Sequence, residues 1–191
     1  MKSLDQILKI KATVLYILNQ VPEGLDYIHL FKILYFAQQK HLVAYGMPLM
    51  EDTFCAKKLG PVPTLTYKVL RGVESGAKFE SSYLNDFASS INVDLQNKHQ
   101  IVTSVVSCDL DELSKSDIKV LDASISEYKE VASYALSDIS HDKAWQKAKE
   151  TAERTGEDTK IPMYDIAEAG GATKGMLSVI RERQWTVRNL S

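Results

Sequence analysis

Cysteine is scarce in this chain of 191 residues: Cys55 and Cys108 are the only two, and they lie far apart. Neither belongs to a Cys-x-x-Cys pair, so a zinc site or a redox dithiol has no spacing to support it, and reduced, buried thiols are expected. An excess of one charge is also missing. Lys and Arg number 23 against 25 Asp and Glu, a formal charge of −2, which gives no global field to attract a polyanion. No segment approaches the length of a membrane-spanning helix. The N-terminus alternates charged residues such as Asp5 with apolar ones, unlike the uninterrupted apolar core of a signal peptide. Cytoplasmic residence with no membrane partner is the simplest expectation. Internal repeats and low-complexity tracts are absent. A chain of this length buries about two thirds of its unfolded surface, enough for one domain with an appendage.

What the chain does have is helical patterning. Ser3-Leu4-Asp5-Gln6 reads as a capping box, followed by an apolar face through Leu4, Ile7, Leu8, Val14, Leu15 and Leu18. Pro22-Glu23-Gly24 breaks the chain, and Asp26 caps a second helix, expected to pack antiparallel to the first. Its stripe is Leu30, Phe31, Leu34, Ala37 and Leu42, and Gly46 ends it in a left-handed conformation. Thr53, Phe54 and Cys55 suggest a short extended piece. Gly60-Pro61-Val62-Pro63 forbids a continuous helix and reads as a loop, after which Thr64 caps a helix with Leu65, Val69 and Leu70 that Gly72 and Gly76 end.

Between Glu80 and Ser107 the pattern is mixed, and Ile101 to Val106 is the best strand. Ser114-Lys115-Ser116-Asp117 opens a strong helix in which Ile118, Leu121, Ile125, Tyr128 and Ala132 hold register. A break near Ser137 to Ser140 precedes the helix that carries Trp145. Gly156 to Thr159 is a polar joint, a short helix with Pro162 near its start runs from Ile161 to Ala169, Gly170-Gly171 is a hinge, and a last segment runs from Met176 to Arg188. The expected fold is mainly α: a compact helical domain over 1–155 with one or two short strands near Thr53 and Ile101, and a C-terminal helical extension over 156–191.

Catalytic and metal chemistry find little support. His29 and His41 sit more than three helical turns apart, too far to share an ion; they read as a first-turn residue and a partly exposed rim residue. Ser140-His141-Asp142 is a triad only by adjacency, and chain neighbours cannot meet as nucleophile, base and orienter. A capping Ser140, a first-turn Asp142 and a His141 ring packed near Trp145 form the plainer reading. Phe31, Tyr35 and Phe36 lack the basic groove of a base-stacking platform and are expected in the core, with the Tyr35 hydroxyl at its edge. Arg181, Arg183, Trp185 and Arg188 have an interface-like composition, since Trp and Arg are enriched among binding hot spots. A phosphate-binding arm looks similar, and so does a helix that docks Val179, Ile180 and Trp185 onto its own domain. The loop from Lys57 to Pro63 is either a preshaped binding loop or a structural corner. Lys58, Tyr67 and Arg71, in this loop and the helix after it, join the four C-terminal residues as partner-binding candidates.

Two blocks carry a family resemblance. Leu34-Tyr35-Phe36-Ala37-Gln38, Gly46-Met47-Pro48-Leu49, Glu51-Asp52-Thr53-Phe54-Cys55-Ala56 and Gly60-Pro61-Val62 form the first. Ser137 to Trp145, with His141 four residues before Trp145, forms the second. Together they resemble the Panacea domain of SocA-like antitoxins, also described as phage-associated GepA-like proteins. Lys57, where family members often carry an aromatic residue, and the chain beyond Thr155 depart from the pattern. The resemblance implies a non-enzymatic, cytosolic antitoxin of a type II-like toxin–antitoxin system that neutralises a cognate protein toxin by direct binding, with no cofactor or metal. It further implies that some members act as adaptors handing the toxin to an ATP-dependent protease. A nucleic-acid-binding regulator using the basic C-terminal arm is the alternative from another class, although nucleic acid is not the expected partner.

Overall fold

The computed structural model of the chain describes residues 2–96 and 100–190, the side chains of 187–190 excepted. Among the described residues the fold is mainly helical, with nine α-helices and two antiparallel hairpins. None of the helices is long and apolar enough to cross a membrane.

Helix α1 (Leu4–Gln20) starts at the expected capping box, in which the Ser3 hydroxyl accepts from the Gln6 N–H and the Gln6 side chain accepts from the Ser3 N–H. Helix α2 (Tyr27–Tyr45) is capped by Asp26 and ends at Gly46 with φ +64°. It is the axis of the fold. Leu30, Ile33, Leu34, Tyr35 and Ala37 are fully enclosed. The partner with which α2 meets most extensively is α5 (Lys115–Tyr128) rather than α1. A second capping box, Ser114 with Asp117, opens α5 as expected, and the helix stops four residues short of Ala132. The aromatic stripe of α2 is core, with Phe36 stacked on Tyr128 at 4.3 Å between centroids.

Strand β1 (Phe54–Lys57) pairs with β2 (Gly60–Pro63) in the register Phe54↔Pro63, Cys55↔Val62, Ala56↔Pro61. The segment expected as a loop is therefore a strand, because Pro61 and Pro63 stand two residues apart and both missing N–H groups face away from β1. The outer edge of β1 is covered in turn: the Ala56 N–H donates to the Thr159 carbonyl, and the Ile161 N–H to that of Phe54. Helix α3 (Thr64–Ser75) follows. Thr64 is its first residue, not its cap. The Asp52 carboxylate, 2% exposed, does that work from outside the helix, accepting from the Leu65 N–H and the Thr66 N–H, both at 2.9 Å, and from the Thr66 hydroxyl at 2.8 Å. Gly76 ends α3 with φ +66°, whereas Gly72 lies inside it.

The mixed region resolves into α4 (Ser82–Ser89) and a hairpin of β3 (Ile91–Asp94) and β4 (Ile101–Ser104), so the expected strand at Ile101 has a partner. Helix α6 (Ser133–Ile139) fills much of the expected break before α7 (Lys143–Thr155), whose cap is Asp142 rather than Ser140. Helices α8 (Met163–Ala169) and α9 (Lys174–Leu190) complete the chain, and Ile161, Ile166, Ala167, Leu177 and Ile180 join the hydrophobic core.

Of the two helix histidines, His29 lies in the first turn of α2 as expected, whereas His41 does not keep its expected place. His29 bridges the Asp26 carboxylate and the Val131 carbonyl; its hydrogen bond to Asp26 raises the imidazole pKa, against the opposing effect of burial. His41 is buried, not a rim residue, with Nδ1 2.8 Å from the Met47 carbonyl and Nε2 3.1 Å from Asp117. Both thiols are free, and burial pushes them up, Cys108 to about 11.

Candidate partner-binding surface

The β1–β2 hairpin is held by side chains from three helices, which fixes what its tip can present. Lys32, alone among apolar neighbours on α2, is 1% exposed and donates to the Pro61 carbonyl at 3.0 Å. That carbonyl lies on the outward edge of β2, so the amine satisfies an acceptor the hairpin cannot. Burial pushes the amine down to about 7. Gly60, at φ +100°, passes so close that a Cβ there would stand 2.7 Å from Lys32 Nζ and would also strike the Ser140 hydroxyl. From the start of α7, the Trp145 indole N–H donates to the Lys57 carbonyl at 3.0 Å, while the Ser137 hydroxyl donates to that of Leu59 at 3.2 Å.

The His141 ring stacks on Trp145 with centroids 3.8 Å apart and planes at 19°. Burial, and then the Lys32 charge, lower its pKa. Asp142 accepts the Trp145 N–H at 3.0 Å, the Tyr35 hydroxyl at 2.8 Å and the Gln39 amide at 3.0 Å. The Tyr35 side chain is thus fully buried, not at an edge. Ser140, His141 and Asp142 each spend their polar groups or rings on scaffolding. Ser140 donates to the Ser137 carbonyl at 2.8 Å and is fully buried, so it offers no accessible nucleophile. The two sequence blocks, remote along the chain, meet here.

Lys58 and Leu59 form the exposed turn of this braced hairpin. Tyr67 and Arg71 stand one turn apart on α3. Tyr67 is 38% exposed and meets Tyr27 and Phe31 edge-on, at 6.5 and 6.0 Å between centroids. Arg71 is paired with Glu74, which also accepts the Tyr27 hydroxyl at 2.6 Å. Part of what these residues offer is therefore already used within the chain.

The C-terminal candidates share α9. Leu177 and Ile180 anchor the helix, and Met176 and Val179 pass Gly46, where a Cβ would stand 2.6 Å from the Met176 sulfur. Gly46 is thus needed both for its conformation and for this approach. Arg181 lies over the Tyr164 ring at 4.9 Å. Val179 is 42% and Trp185 67% exposed, and Arg183 is exposed beside them. The Arg188 side chain lies outside the described residues. Between α9 and the Met47–Glu51 segment runs a groove of about 840 Å³, lined by Met47, Leu49, Met163, Val179 and Arg183 among others. Sequence reasoning named Arg183 but not the Met47 side of this groove, since a loop that contributes no periodic pattern announces no surface.

The family model described as "Antitoxin SocA-like, Panacea domain" matches residues 30–146, more than half of the chain. The match starts two residues before Lys32 and ends one after Trp145, and so encloses the hairpin brace and leaves α9 outside. No curated protein and no solved structure matches the chain.

Proposed function

We propose, from the premise that this chain belongs to the SocA-like antitoxin family through its Panacea domain, that it neutralises a cognate protein toxin by direct, stoichiometric binding. Such a role asks for a shaped surface and needs no nucleophile, cofactor or metal, in keeping with an antitoxin family of binding proteins rather than enzymes.

The observation that carries the reading is the display on α9: Trp185, two thirds exposed, together with Val179 and Arg183 beside the groove. A large exposed aromatic and an arginine are the side-chain types that dominate binding energy when a partner desolvates them, and of the two Arg183 lines the groove. Leu177 and Ile180 hold the helix from its other face, so replacing Trp185 removes contact area without removing the anchor.

Co-expression with the product of the adjacent gene tests this. Growth rescue and a co-purifying complex that tolerates moderate salt are the expected results, because an interface with an apolar centre depends weakly on ionic strength. The double substitution W185A/R183A abolishes rescue and leaves the melting temperature unchanged. A melting temperature that falls steeply would instead make this segment core. Binding of nucleic acid that weakens steeply with salt would favour a regulator.

A further inference from the structure

A second groove, of about 1020 Å³, lies between the start of α1, the outer face of α3 and the segment entering α4. Its floor is apolar: Ile7, Leu65, Phe79 and Leu84, with Leu4 and Tyr83 at the margin, 38% and 46% exposed. Its rim is not mixed, as the surface of a chain with net charge −2 would be on average. Lys2, Lys68 and Lys78 line it against the single acid Glu80.

The groove is built in advance. Asn85 clamps both backbone groups of Phe79, accepting from its N–H at 2.8 Å and donating to its carbonyl at 2.7 Å. The Phe79 ring rests on Gly72, where a Cβ would stand 2.8 Å from ring carbon Cε2. That contact explains a glycine inside α3, and Lys68 lies over the same ring at 5.9 Å. A cleft fixed in this way imposes little ordering cost on binding. It also adjoins the groove beside α9, since the Lys2 amine of one donates to the Glu51 carbonyl of the other.

We propose that this groove docks an amphipathic segment of a partner protein whose apolar face is flanked by Asp and Glu, a segment that belongs to the toxin under the antitoxin reading on which this assignment rests. The apolar floor takes the hydrophobic face, and the three lysines meet the flanking carboxylates. A nucleic acid would leave that floor uncovered.

The test titrates the full chain with a fluorescein-labelled helical peptide carrying leucines at i, i+3, i+4 and i+7 and flanking glutamates, read by anisotropy. Saturable binding is expected, weakening as salt rises and falling roughly tenfold or more in K68E/K78E, where attraction becomes repulsion. Both lysines are exposed, so the variant keeps the parent melting temperature. Absence of binding, equal binding of a lysine-flanked counterpart, insensitivity to K68E/K78E, or displacement by a short single-stranded RNA overturns the assignment. The two readings fail separately. Peptide binding without a complex or rescue by the adjacent gene product retains the groove and removes the toxin as its partner. A rescuing complex that K68E/K78E leaves unchanged retains the antitoxin and overturns toxin docking here.

Discussion

Gly60→Ala should be among the most damaging single-methyl additions in this chain, and the structure says why. The residue sits at φ +100°, a conformation in which an L side chain costs on the order of 1–3 kcal/mol. The new Cβ would also fall 2.7 Å from Lys32 Nζ and 2.8 Å from its Cε, and against the Ser140 hydroxyl. Neither neighbour can yield freely. Ser140 is fully buried and bonded to the Ser137 carbonyl, and the Lys32 amine is enclosed and bonded to Pro61. Overpacking of this kind costs roughly 1–3 kcal/mol more, so the expected loss is about 4 kcal/mol, or roughly 8–16 °C in melting temperature for a domain of this size. Gly156→Ala is the control. It shares a positive φ, +75°, but a Cβ there meets nothing within 4 Å, which leaves backbone strain of about 1–2 kcal/mol. Thermal and urea unfolding followed by circular dichroism compare the two. If Gly60→Ala melts no lower than Gly156→Ala, the packing of Lys32 and Ser140 against the hairpin is not the constraint described here.

Two further expectations concern buried polar groups. The Lys32 amine falls from its unfolded value of about 10.4 to about 7 in the fold, so between those values the unfolded chain binds more protons and stability must rise with pH, by at most about 1.4 kcal/mol per pH unit; subtracting the urea-unfolding profile of Lys32→Met from that of the parent between pH 7 and 9 isolates this slope, and parallel profiles would show that the amine stays charged. Asp52→Ala strips the start of α3 of its acceptors, and a lost cap together with buried donors left unmet costs about 2–4 kcal/mol in urea unfolding, with Asp52→Asn intermediate because one oxygen remains; a loss below 1 kcal/mol for the alanine variant would mean that water replaces the carboxylate.

Local signals were legible wherever the interaction itself was local. Ser3 with Gln6, Ser114 with Asp117, Asp26 before α2 and Gly46 after it each act within a few residues, and each stands where the pattern puts it. The same habit of reading misled where the partner was remote. Thr64 looked like a cap because it precedes a helix, yet the acceptor is Asp52, twelve residues earlier and on the far side of a hairpin. Ser140 looked like a cap for similar reasons, yet it faces Gly60. Helix α4 and strand β3 were missed because each is short, and a window of eight residues or fewer carries too little periodicity to separate from loop.

The hairpin shows where a finer reading would have succeeded. Proline argues against a strand only if its missing N–H was owed to a neighbour, and prolines at alternate positions owe nothing on one side. Pro61 and Pro63 obey that parity, and Lys32, a lone cation in the run Leu30-Phe31-Lys32-Ile33-Leu34, marks a buried acceptor to be met. Taken together, alternate prolines and a lysine inside an apolar stripe specify an edge strand laid against α2. The surfaces were less accessible to such reasoning. Each groove is lined by segments distant in sequence, Met47 with Arg183 and Lys2 with Lys78. The fold alone decides that these side chains share a rim. Composition made Arg183 and Trp185 candidates because arginine and tryptophan are enriched among binding hot spots, whereas lysine is common on every surface and becomes informative only when three of them surround one apolar floor.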